Sequence, residues 1–130
     1  MKKENTMKEE NAMIIEDERD LSYLLAVVLK KNNVPSACVY SIKEASETIH
    51  DIKPSIIFID NHLPDGQGRD FIRHARAIYP LAKIIMITAH DAPEEIDEAF
   101  ERGADYFISK PFNSTTIKET IDFFIHKRTG

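Results

Sequence analysis

Residues 55–66 read SIIFIDNHLPDG. Four consecutive apolar residues, Ile56, Ile57, Phe58 and Ile59, run straight into a carboxylate, Asp60. The chain then turns polar through Asn61, His62, Pro64, Asp65 and Gly66. An unbroken apolar run of this length predicts a strand covered on both faces, as in a parallel sheet. An acid at the carboxyl end of such a strand stands where open α/β sheets bind their ligands. Taken alone, the acid could equally be a helix cap or a turn residue, so the flanking chain has to decide.

On both sides, strand and helix patterns alternate. Ala12 to Ile15 form a short apolar run, and Leu21, Leu24, Leu25, Val28 and Leu29 then recur at the spacing of one helix face. Residues 36–40 read as a second strand. Ser41 stands three residues before Glu44, a capping-box pattern that opens a helix with Ile42, Ala45 and Ile49 inward. Beyond the quoted stretch, Gly66 and Gly68 mark a loop before a helix carrying Phe71, Ala75 and Ile78, which Pro80 ends. Residues 83–89 form the fourth predicted strand. Asp91 and Pro93 suit the start of a helix with Ile96, Ala99 and Phe100 on its inner face, and Gly103 suits its C-terminal cap. A fifth strand is expected over 105–109, then a helix with Ile117, Ile121, Phe124 and Ile125 on one side. Five strands, each followed by a helix, predict an α/β fold: a doubly wound parallel (βα)5 sheet with helices on both faces. The flavodoxin-like order 2-1-3-4-5 suits five such units and puts the ligand crevice between the first and third strands.

The bulk numbers agree with one domain. The chain has 130 residues, 42% of them hydrophobic and 30% charged, with a net charge of −5. That balance argues against nucleic-acid binding. The single cysteine, Cys38, excludes an internal disulfide and any multi-cysteine zinc site, and its apolar neighbours predict a buried strand residue. No stretch approaches the roughly 20 apolar residues of a membrane span, and the charged N-terminus lacks the apolar middle of a signal peptide. Residues 1–11 are therefore expected to be a disordered tail, residues 12–130 the domain, and the cytoplasm its compartment.

In a parallel sheet all strands deliver their carboxyl ends to one edge. Glu16 and Asp17 follow the first strand, Asp60 ends the third, Thr88 lies near the end of the fourth, and Lys110 and Pro111 follow the fifth. Three carboxylates placed together repel unless a cation joins them, and an all-oxygen set suits Mg²⁺. A metal, an ammonium and a hydroxyl side by side can receive a phosphoryl group. A carboxylate can itself attack phosphorus to give an aspartyl phosphate, and Asp60, on the central strand, is the best placed to do so.

The ordered set "IIEDE", "FIDNHLPDGQG", "MITA" and "GADYFISKPF" resembles the receiver domain of two-component response regulators, including the stand-alone chemotaxis regulator. The resemblance covers residues 12 to about 127. It implies that Asp60 is the phosphoacceptor. Asp17 would be a direct magnesium ligand, Glu16 an acid acting through water, and the His62 backbone carbonyl a third protein ligand, with manganese able to substitute for magnesium. It further implies that Thr88 and Lys110 bind the phosphoryl group, that Phe107 is the aromatic switch residue, and that the Lys110–Pro111 bond is cis. The implied donor is a sensor histidine kinase or a histidine phosphotransfer protein. The implied reading surface for a downstream target is about residues 92–127. Such a domain catalyses only its own phosphorylation and dephosphorylation, and is a switch rather than an enzyme.

Two positions depart from the commoner pattern: Glu16 stands where aspartate is more usual, and Phe107 lacks the hydroxyl of a tyrosine. His50, His74 and His126 are expected at the surface. His62 and His90, each two residues beyond a site residue, are expected at the pocket rim, where they could tune phosphoryl lifetime. Haloacid-dehalogenase-like phosphatases also use a strand-end aspartate, but they need a second acid where this chain has His62. The chain has four glycines and no G-x-x-x-x-G-K-[ST] loop, which disfavours nucleotide binding. The serious alternative is a degenerate receiver, a phosphate-independent interaction module.

Overall fold

The computed structural model describes residues 10–89 and 92–126. The charged N-terminal residues 1–9, His90 and Asp91 lie outside the described residues, so the expectations placed on them are not addressed by the structure. Five parallel strands form the main sheet: β1 (Ala12–Ile15), β2 (Ser36–Val39), β3 (Ile56–Asp60), β4 (Lys83–Thr88) and β5 (Tyr106–Ser109). Their spatial order is β2-β1-β3-β4-β5, the order read from the sequence. Helices α1 (Arg19–Lys31), α2 (Ile42–Ile52), α3 (Gly68–Ile78), α4 (Pro93–Glu101) and α5 (Ser114–Ile121) follow the strands in turn. The last of these continues as a π-helical turn over Asp122–His126. A two-residue ladder pairs His62–Leu63 with Gly66–Gln67 just after β3.

Strand alternation splits the core into two layers. Met13, Ile15, Ile57, Ile59, Ile84 and Met86 pack with residues of α2, α3 and α4. Ile14, Ile56, Phe58, Ile85, Ile87 and Ile108 pack with residues of α1 and α5. All five residues of β3 are buried, as a central strand covered on both faces must be.

The helix caps follow local chemistry. The Ser41 side chain accepts from Glu44 N at 3.1 Å. The Glu44 carboxylate reaches back to Tyr40 N (2.9 Å) rather than to the cap residue's own N–H, so the box is displaced by one residue. At the end of α4, Gly103 has φ +118. Its N–H bonds Phe100 O, and Ala104 N bonds Ala99 O, which is the Schellman pattern that favours glycine.

Two burial expectations are corrected. Phe100, expected on the inner face of α4, is 44% exposed. Buried Ala99 marks the inward side of α4, so only part of its apolar arc is covered. Cys38 lies in β2, an edge strand, and is only half-buried. Burial nevertheless pushes its thiol pKa up.

Candidate functional site

Strand register assembles the site. Ile15 is level with Ile59, and Asp60 with Ile87, so Glu16 emerges beside Asp60 and Thr88 stands one step beyond. Thr88 is level with Ser109 in β5, and Lys110 N bonds Thr88 O at 2.9 Å. The residue picked from the end of each strand therefore reaches one place. Glu16, Asp60 and Thr88 are buried there, while Asp17 is exposed.

One carboxylate oxygen from each of Glu16, Asp17 and Asp60 lies within 4.8 Å of the others. The Lys110 ammonium faces this group, with Nζ 3.1 Å from Asp60 Oδ2 and 2.9 Å from Glu16 Oε1. It also lies 2.7 Å from Glu18 Oε1, a partner that the sequence reading missed. Glu16 Oε2 accepts from Glu18 N at 3.0 Å. Oε1 has the lysine close by but no aligned hydrogen bond. Burial pushes the Glu16 carboxyl up to about 7; the Glu18 N–H and the Lys110 ammonium pull the other way, and the Asp60 charge adds to the rise. Burial alone would pull Lys110 down, but Glu18, Glu16 and Asp60 together hold it well above the ordinary lysine value. The Lys110–Pro111 bond is cis.

These features fit a hard divalent cation. The donors are all oxygens, the acids crowd one another, and a fully buried carboxylate oxygen keeps a lone pair without a directional hydrogen bond. The acidic cluster can hold such an ion.

The loop after Asp60 is built tightly. Asp60 Oδ1 accepts from His62 N at 3.2 Å. Gly68 N bonds Asn61 O, and Arg69 N bonds the Asn61 side-chain oxygen, which closes the loop onto the first turn of α3. A Cβ on Gly68 would collide with the carbonyl oxygen of Asp60, so α3 can start this close to the site only from glycine. Further along, Asp65 accepts from Ile42 N and Lys43 N, both at 2.9 Å, and so ties the loop to the start of α2. The sequence reading had assigned Asp65 no role.

His62 is exposed, with Nε2 3.8 Å from Glu95 Oε1 in α4. His50 and His74 are exposed as expected, and the side chain of His126 lies outside the described residues. Phe107 is half-buried against the α2, α3 and α4 layer. Its neighbour Tyr106 points the other way, onto Phe124 at a centroid distance of 5.6 Å.

With the strand order, the strand-end acids and the facing lysine in view, comparison with known proteins supplies the class. The model of the response regulator receiver domain matches residues 12–122, and the chain belongs to that family. Receiver domains are the phosphorylation-activated switches of two-component signalling, and this chain is one of them. It is 33% identical over 122 residues to the transcriptional regulatory protein CitB of Klebsiella pneumoniae, covering 91% of this chain and 51% of that protein. It is 28% identical over 115 residues to the response regulator protein PilR of Pseudomonas aeruginosa, covering 88% of this chain and 26% of that protein. The chain thus spans about half, or less, of the length of these relatives. A two-component response regulator from Clostridium difficile has the same fold, with a TM-score of 0.87 at 21% identity over 94% of this chain and all of that one. No helix among the described residues is long and apolar enough to cross a membrane.

Proposed function

We propose that Asp60 is the residue that becomes phosphorylated, and that this chain accepts the group from a phosphohistidine on a sensor kinase or phosphotransfer protein. The observation that carries the reading is the ammonium of Lys110 set 3.1 Å from a buried carboxylate on the central strand. An Asp60 oxygen attacks phosphorus, the P–N bond to the donor histidine breaks, and the released imidazole keeps the bonding pair and takes up a proton. Lys110 and the Thr88 hydroxyl bind oxygens of the transferred group. Glu16, Asp17, Asp60 and the His62 carbonyl are the ligands for Mg²⁺, or for Mn²⁺ in its place. When bound, that ion neutralises charge on the phosphoryl oxygens. Water later hydrolyses the aspartyl phosphate within the same domain, so the only chemistry is on the protein itself. His62, at the rim, is in position to influence how fast that water arrives.

Phe107, on the strand that carries Lys110, is the switch aromatic in this reading, and a target reads the face made by α4, β5 and α5. That face carries the exposed aromatic residues Phe100, Tyr106 and Phe123, which suits a contact surface. The cytoplasm, where sensor kinases present their phosphohistidine, is the matching compartment.

Intact mass after incubation with acetyl phosphate and Mg²⁺ tests the assignment. One added phosphoryl group is expected, absent from Asp60→Asn and from metal-free samples. An unchanged mass, together with no response to beryllofluoride, would sink it.

A further inference from the structure

Lys110 presents three N–H donors and has three carboxylates around it, yet its side chain is only 12% exposed. Its aligned hydrogen bonds go to Glu18 and Asp60, with Glu16 Oε1 close but unaligned, so an arriving phosphoryl oxygen competes with these carboxylates for the ammonium. The three differ in what release costs. Glu16 is 0% exposed, and separating its charge from the lysine would strand it away from water. Asp60 is the attacking group and is 5% exposed. Glu18 makes the shortest contact, 2.7 Å, but is 61% exposed, so water can receive its charge as it leaves.

Two further details fit a side chain kept for this contact. Glu18 is the N-cap residue of α1, yet its side chain makes no capping hydrogen bond. Its backbone is fixed by the bond from its N–H to Glu16 Oε2, while the carboxylate projects toward the Lys110 ammonium.

We propose that Glu18 is a positioning residue that occupies Lys110 in the resting protein and cedes it to the phosphoryl group. Glu18 then competes with the incoming anion: it keeps the ammonium aimed at the site beforehand, and it weakens binding of the group that replaces it. The inference rests on the phosphoacceptor reading of Asp60.

The test uses beryllofluoride, a phosphoryl mimic, at saturating Mg²⁺, with the bound species read by ¹⁹F NMR. Removing the competitor in Glu18→Gln is expected to tighten binding about two- to five-fold, the scale of a partly exposed ion pair. Glu18→Asp keeps the charge but draws it back by one methylene, and is expected to tighten binding by a smaller factor. Unchanged or weaker binding in Glu18→Gln would overturn the inference. So would an Asp variant identical to wild type beside a tighter Gln variant, since that pattern would mean a general charge effect without the lysine contact. Wild-type protein with no bound ¹⁹F resonance would instead overturn the phosphoacceptor reading itself, with this inference. An Asp60→Asn sample, expected to show no bound resonance, identifies the bound signal.

Discussion

A single loop carboxylate, Asp65, does for this site what no local pattern announces. It accepts from two free N–H groups at the first turn of α2, and those hydrogen bonds hold its carboxyl below the usual aspartate range. The depressed value means that the charged form is favoured in the fold. Its stabilisation is therefore present above the ordinary aspartate pKa of 3.8 and is lost as pH falls through the lower folded value. Asp65→Asn should melt at a lower temperature than wild type at pH 7, with the gap closing as both are acidified below pH 3. A gap independent of pH would mean that the carboxylate charge is not what matters. Asp60, Glu16, Asp17, Thr88 and Lys110 could be picked out from the sequence because each stands at the carboxyl end of an apolar run, and a parallel sheet must gather those ends. Asp65 and Glu18 could not. Their partners lie 22 to 23 and 92 residues away in the chain, and a loop acid or a helix-start acid looks the same whether or not it has such a partner.

Among the elements, strands were the easier to foresee. Buried parallel strands are nearly continuous apolar runs, and the observed limits fall within a residue of the expected ones. Helix faces were harder, as Phe100 shows, because periodicity reports an apolar stripe without saying how much of it is covered. α3 shows a constraint of another kind. Its first residue, Gly68, has no room for a Cβ against the Asp60 carbonyl and would also bring one to 2.9 Å from Ile59 Cγ1. Both neighbours belong to the central strand and cannot yield as a flexible side chain would. Gly68→Ala should therefore cost about 1–3 kcal/mol or more in urea unfolding. It should also weaken Mg²⁺ binding, because the Asp60 peptide has to shift. A variant with wild-type stability and metal affinity would show that α3 can slide away at no cost, contrary to its tight closure onto Asn61.

Across the whole molecule, both faces of the sheet carry an apolar layer, and on one of them charged pairs are added between α3 and α4. α1 and α5 share a continuous apolar layer with the strands. α4 meets α3 through charged pairs, Arg69 with Glu98 at 2.6 Å and Arg102 with Asp70 at 3.9 Å, and polar contacts can exchange at lower cost than buried apolar ones. The C-terminal end of α4 is pinned. The Arg76 guanidinium donates to the carbonyls of Ala82 and Gly103 (both 2.6 Å) and to Asp105 Oδ2 (2.7 Å), gathering the loops on either side of β4 and α4. Its N-terminal end instead faces the site loop, where Glu95 lies near Asn61 and His62. A phosphoryl group adds roughly 1.5–2 negative charges, and these would arrive beside Lys110, one step beyond the edge strand β5. The response should accordingly run through β5 and be larger at the start of α4 than at its pinned end. In ¹H–¹⁵N spectra, beryllofluoride should move the amides of residues 92–96 and 106–110 more than those of 101–105, and leave α2 beyond its first turn nearly unchanged. The same shifts should be missing in Asp60→Asn. If residues 101–105 moved as far as 92–96, the Arg76 anchor would not be a pivot and α4 would travel as a rigid whole.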